Sequence, residues 1–278
     1  YTCTIAQSHK KALILVDEKA TYELKVKTYF YYKNLQKNLD LFGNPIKNML
    51  KSLIFNDDKI LITSPHPDDD IIGCGGIMQL FPNKENVEIC YMTNGSGGIK
   101  GNNNKHTSIR IKEAISAIKI LGYNKHQILT PRLPFYYKNT REITEEDTLE
   151  FNKVLDNYNS SMHLFVCYDS DPKGTHDKCL QIIKNSNLKK IKYIWLYKSA
   201  WGSWEKNDNT LDIHLDEVLM KNKLLSMDMH ITQEIPVVTN KNVSSFKDVI
   251  IKNAHSSNHP NKFTERFKVL TIDEFKKL

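Results

Sequence analysis

Asp58-Lys59-Ile60-Leu61-Ile62-Thr63-Ser64-Pro65-His66-Pro67-Asp68-Asp69-Asp70 is the stretch whose reading decides the architecture. Ile60 to Thr63 is a short apolar run suited to a buried strand, and it ends in a proline-flanked turn. Beyond the turn, Ile71 to Leu80 has helical spacing, so the order is strand, turn, helix. The unit then recurs. Val87 to Met92 reads as a strand closed by Asn94-Gly95-Ser96-Gly97-Gly98. Thr107 to Leu121 sets Ile111, Ile115, Ile118 and Leu121 at helical steps and stops at Gly122. Leu164 to Tyr168 is a third strand, followed by a helix from His176 to Ile183. Ile191, Tyr193, Trp195 and Tyr197 alternate as in a further strand, and Glu217 to Met229 is helical. This alternation predicts an α/β domain with a mostly parallel sheet covered by helices on both faces. Ligands of such sheets sit beyond the carboxyl ends of the strands.

The 278 residues carry 39 Lys+Arg against 32 Asp+Glu, a formal charge of +7, and are 40% hydrophobic and 26% charged. That balance is globular rather than disordered. No apolar run approaches the ~20 residues of a bilayer span. Tyr1 to Lys11 lacks the long apolar stretch of a signal peptide. The excess charge is dispersed, which suits a small anionic substrate and not nucleic acid. Cys3, Cys74, Cys90, Cys167 and Cys179 are odd in number and include no CxxC pair, which fits a reducing, cytoplasmic compartment better than a disulfide framework. The chain does not begin with Met, so a processed chain or a piece of a longer one is expected. Oligomeric state is not legible, and a homo-oligomer stays open.

Three consecutive carboxylates repel one another and are costly to collect unless a cation or solvent screens them. His66 and Asp69 are suitable zinc ligands, with Asp68 between them free to act as a base. The alternative is a solvated turn with Asp69 or Asp70 capping the next helix. A catalytic zinc needs a third protein ligand, and His176, after another strand, is the best candidate; a surface or capping histidine is the alternative. Arg110, one helical turn beyond the Asn94–Gly98 loop, could meet a substrate oxyanion or pair with Glu113 on the helix surface. His230 is expected in the packing of its helix or at the pocket rim.

His66-Pro67-Asp68-Asp69-Asp70 followed by Gly73-Cys74-Gly75-Gly76 resembles the signature of the LmbE-like (PIG-L) zinc deacetylases. The resemblance continues through Thr93-Asn94-Gly95, Arg110 with Glu113, Leu121-Gly122, and Lys223 to Gln233. It covers about Asp58 to Phe267. Leu133 to Tyr136, Asp171 to His176 and Trp195 to Trp201 resemble the branch fused behind a glucosamine-6-phosphate deaminase-like domain. Lys11 to Thr28 looks like the end of that deaminase domain. The implied organisation is a remnant of a second α/β domain over 1–37, a linker over 38–57, and a Rossmann-like LmbE domain over 58–278.

The resemblance implies removal of an acetyl group from an N-acetylglucosamine-type sugar, with N-acetylglucosamine-6-phosphate a candidate because its product would feed the deaminase. His66, Asp69 and His176 would hold Zn2+, or another divalent metal such as iron or cobalt, and Asp68 would be the general base. Where the family usually has a second donor histidine, this chain has Lys173. Lysine can steady an oxyanion or grip a phosphate, but it shuttles no proton near neutral pH unless its pKa is strongly lowered. An exposed loop lysine is the other reading. Many family members carry an acidic sugar-binding residue where Phe135 stands, which points to stacking on Phe135, Tyr136 or Trp201 instead. Asn94 to Gly98 could bring backbone N–H groups, and Asn94 with them, close to sugar hydroxyls or a phosphate, the alternative being that the glycine-rich stretch is only a turn. The rival function is a non-catalytic sugar-binding or regulatory domain of the deaminase fusion.

Overall fold

The computed structural model describes residues 58–96, 104–138, 142–205, 208–233, 237–239, 242–254 and 263–278. The expected deaminase remnant, the linker and Cys3 lie outside them. Strand β1 (Lys59–Ser64) is flanked by β2 (Val87–Tyr91) and β4 (Met162–Cys167), both parallel to it. β3 (Ile128–Leu129) pairs with β2, and β5 (Ile191–Tyr197) with β4, again in parallel. Two antiparallel strands, β9 (Phe263–Leu270) and β6 (Leu211–Leu215), complete the order β3-β2-β1-β4-β5-β9-β6. β7 (Val237–Thr239) and β8 (Asn242–Ser244) form a separate hairpin pair.

Side-chain alternation builds a core on each face of this sheet. Ile60, Ile62, Ile89, Tyr91, Phe165, Trp195 and Tyr197 point into one core, while Leu61, Cys90, Leu164, Val166, Ile194 and Leu196 point into the other. The first is covered by α1 (Asp69–Cys74), α2 (Ile77–Leu80), α3 (Asn104–Ile120), α7 (Glu217–Asp228) and α8 (Phe246–Ala254). The second is covered by α4 (Pro134–Tyr137), α5 (Glu145–Asp156), α6 (Thr175–Asn185) and α9 (Ile272–Lys276). The buried Cys179, Ile182 and Ile183 of α6 follow the one-face spacing of an amphipathic helix. The expected α/β sheet with both faces covered is present.

One predicted element is different. The helix expected over Ile71 to Leu80 is two short helices separated at Gly75-Gly76. Glu265 of β9 reaches into that break and accepts hydrogen bonds from Gly76 N (2.6 Å) and Ile77 N (2.7 Å). A side chain at Gly76 would lie 2.8 Å from the Glu265 carboxyl carbon, so the carboxylate needs glycine there. Asp69 and Asp70 do not cap α1: both lie in its first turn, and their carboxylates are engaged elsewhere, Asp69 by His66 N and His176 and Asp70 by Tyr91.

The strand order places the site. β1 and β4 are neighbours, and their following connections run to opposite faces, α1 to one core and α6 to the other. A crevice opens beyond the carboxyl ends of strands at such a switch point. The His66–Asp70 and Asp169–His176 turns both leave strands there.

Candidate metal centre

Short loops bring three ligand atoms together at the crevice. His66 N donates to Asp69 Oδ2 (2.8 Å), so backbone and carboxylate lock the turn after β1. His66 Nδ1 lies 3.3 Å from Asp69 Oδ2, His176 Nε2 lies 3.2 Å from the same oxygen, and the two ring nitrogens are 3.2 Å apart. Ligands about 2.0–2.2 Å from a tetrahedral zinc stand roughly 3.3–3.5 Å from one another. The triangle therefore fits one face of a tetrahedral site, and its two imidazoles and carboxylate form a borderline donor set suited to zinc. His66 and Asp69 also line the adjoining cleft.

A second set of groups orients these ligands. His176 Nδ1 donates to Asp169 Oδ1 (2.7 Å), which leaves the Nε2 lone pair for the centre. Asp169 Oδ2 in turn accepts from Ser199 N (2.7 Å) and Trp201 N (3.3 Å). Ser199 Oγ donates to Asp69 Oδ1. Asp171 accepts from His176 N (2.7 Å) and Lys173 N (3.0 Å), pinning the turn into α6. Cys167 Sγ lies 3.0 Å from Asp169 Oδ1, but burial pushes its thiol up, so it serves this shell as a neutral donor. Asp169→Asn removes the acceptor behind His176 and should weaken metal binding about 10–100-fold. Competition with a chelator of known affinity measures this.

The charges around the centre are unequal. Burial opposes ionisation of Asp69, yet His176 and His66 hold its carboxyl well below the usual carboxylate range. Burial likewise disfavours a charged His176, but Asp69 and Asp169 outweigh it and drive its pKa up when only protein groups surround it. Asp68 is raised by burial, and Arg110 offsets that only in part. Arg110 is 1% exposed and reaches Asp68 Oδ2 at 3.1 Å, with a longer bond to Pro67 O. The alternative of a surface pair with Glu113 is thereby corrected: Glu113 is turned to Thr232. Gly95, at φ +64°, lets the loop pass close to the Arg110 guanidinium, where a side chain would meet Nε at 3.1 Å.

A cleft of about 190 Å³ opens over the centre. Arg110, Tyr136 and Trp201 stand on its wall, and the exposed Lys173 is at its edge. Asn94 and Phe135 are placed differently. Asn94 Oδ1 is occupied by Ser96 N (2.9 Å), and Phe135 is 4% exposed, packed in the core behind Tyr136. Neither lines the cleft; adjacent Gly95 and Tyr136 do. His230 is fully buried and held neutral, pushed down to about 3 by burial and then by Arg110. Sequence reasoning missed Asp169, Ser199, Gln233 and Phe246. Of these, Asp169 had a local signal, standing in an acidic turn directly after a strand, and Gln233 closes the Lys223–Gln233 stretch that carries part of the resemblance.

Residues 61–186 match the family model described as GlcNAc-PI de-N-acetylase, PIG-L. Over that stretch, a little under half of the chain, the protein is similar to the PIG-L (LmbE-like) family. The chain is 26% identical over 236 residues to a glucosamine-6-phosphate deaminase-like protein of Bacteroides thetaiotaomicron, covering 63% of this chain and 36% of that relative. A stretch of 38 residues is 53% identical to the glucosamine-6-phosphate deaminase of Dictyostelium discoideum, 14% of each chain. The chain thus spans about a third, or less, of the length of these curated relatives. Among solved structures, the N,N'-diacetylchitobiose deacetylase of Pyrococcus horikoshii superposes with a TM-score of 0.54 at 19% identity, covering 91% of this chain and 96% of that one. At that identity the shared property is the fold.

Proposed function

We propose that this domain is a metal-dependent amide hydrolase that removes the acetyl group from an N-acetylglucosamine-type sugar, with zinc as the metal. The observation that carries the reading is the triangle of His66, Asp69 and His176 donor atoms at 3.2–3.3 Å, with the buried Asp68 carboxylate beside it. A divalent cation held there would supply an acidified water and a Lewis-acid grip on the amide oxygen. Asp68, oriented by Arg110, takes the proton from the attacking water and returns it to the departing amine. Its burial favours this, because a carboxylate with a raised pKa is a stronger base. Lys173 brings positive charge to the cleft edge, where it steadies the developing oxyanion or holds a substrate phosphate. Tyr136 and Trp201 offer rings for a sugar face.

The cleft volume is below the range of about 300–1,000 Å³ common for drug-sized ligands, which favours a single sugar unit. The deaminase relatives support an upstream deaminase domain in a longer chain, for which a deacetylated amino-sugar phosphate would be the substrate. We place the protein in the reducing cytoplasm, consistent with free, buried Cys74, Cys90, Cys167 and Cys179. No helix among the described residues is long and apolar enough to cross a membrane. The test is acetate release from N-acetylglucosamine-6-phosphate and from N-acetylglucosamine by metal-loaded protein. A higher kcat/KM for the phosphate is expected. Equal values remove the phosphate from the reading, and no release from either, with both sugars bound, leaves the sugar-binding domain in its place.

A further inference from the structure

The turn Ile231–Gln233, directly after α7, sends its side chains in opposite directions. Ile231 is 68% exposed, whereas Gln233 is 8% exposed and lines the cleft beside Arg110. The turn is clamped from α3. Glu113 Oε1 accepts from Thr232 N (2.8 Å) and Oε2 accepts from Thr232 Oγ (2.6 Å), so one carboxylate fixes both the backbone and the side chain of the residue before Gln233. Gln233 N donates to His230 O (2.8 Å), and Ser226 Oγ ties α7 to Ala117 O of α3 (2.8 Å). The Gln233 carboxamide is held this firmly but spends little of its own capacity. Nε2 makes one 3.2 Å contact with Thr232 Oγ, and Oε1 has no hydrogen-bond partner among the described residues. A buried amide with unused capacity on a cleft wall is complementary to a group that both donates and accepts, as a hydroxyl does.

The geometry points to Gln233 as a specificity residue that binds a ring hydroxyl of the substrate, and to Glu113 as the positioning residue that sets it through Thr232. This deepens the proposed sugar chemistry and rests on it for the class of ligand. Gln233 belongs to neither the metal triangle nor the Asp68–Arg110 pair, so its loss should alter which ligand is held and leave metal content alone.

Titration calorimetry on the metal-loaded full chain tests this with N-acetylglucosamine and its 1-deoxy and 3-deoxy analogues, the two positions flanking the acetamido carbon. Wild-type protein should bind one deoxy analogue about tenfold more weakly than the parent sugar. Gln233→Leu should bind the parent about tenfold more weakly and no longer distinguish it from that analogue. Gln233→Glu, which keeps an acceptor, should fall between. Glu113→Ala should lose the same discrimination at wild-type metal content, and Glu113→Gln should recover part of it, a pattern that general loosening of the fold does not produce. Equal affinities of wild type and Gln233→Leu for all three probes overturn the assignment. Discrimination that depends on Gln233 in a protein that releases no acetate removes the hydrolase reading and leaves this one standing.

Discussion

Asp68→Asn should lower acetate release by about 10²–10⁴-fold while one metal per chain stays bound. The amide keeps the shape of the side chain and a neutral contact to Arg110, but it cannot accept the proton of an attacking water. His66, Asp69 and His176 are unchanged in that variant, and Asp68 contributes no atom to their triangle. Metal content and rate should therefore separate: content by elemental analysis, rate by acetate detection. A variant that loses its metal would make Asp68 a ligand. One that keeps most of its rate would move the base elsewhere. Burial and the Arg110 ion pair act in opposite senses on this carboxyl, and burial is the larger influence.

The largest effect on stability is expected behind the site, at Glu265 and Lys223. Lys223 Nζ lies 2.5 Å from Glu265 Oε1, and both side chains are 4% exposed. The same carboxylate takes the two backbone N–H groups that open α2. Glu265→Ala leaves a buried ammonium unpaired and those N–H groups unsatisfied, at a cost of about 3–5 kcal/mol. Against a typical total of about 5–15 kcal/mol, that is a large share. Lys223→Met should cost less, because Glu265 keeps its two backbone donors. Urea unfolding of both variants measures the order, and a Glu265→Ala loss under about 1 kcal/mol would contradict it. The consequence reaches the centre, since α1 carries Asp69 in its first turn and leads directly into the clamped break.

The parts of the fold legible in the sequence are those carried by local periodicity. The Ile60–Thr63 run, the Val87–Met92 and Leu164–Tyr168 strands and the helices after them needed only apolar spacing and turn residues. His66, Asp69 and His176 were legible as candidates because each lies in or just beyond the connection from a strand to the next helix, which in an open α/β sheet places it at the carboxyl edge. The clamp at Gly76 was not, because Glu265 arrives from a strand 189 residues later in the chain. Arg110 could be placed one helical turn beyond a loop, but its choice of Asp68 over Glu113 depends on how α3 packs across the sheet. Asn94 and Phe135 each sit one residue from a wall position, a distinction decided by the local course of a loop and of the short helix α4. The place of Gln233 on the cleft wall was not legible, since Thr232 and Glu113 meet only in three dimensions.

The central claim is that three side chains from two strand ends hold a divalent cation. Its most direct test is elemental analysis of purified chain after equilibration with zinc and removal of excess, for wild type and His176→Ala. One metal per wild-type chain is expected, with a marked loss in His176→Ala and acetate release that follows the bound metal. A wild-type chain that stays metal-free under those conditions, or a His176→Ala chain that binds as tightly as wild type, would contradict it.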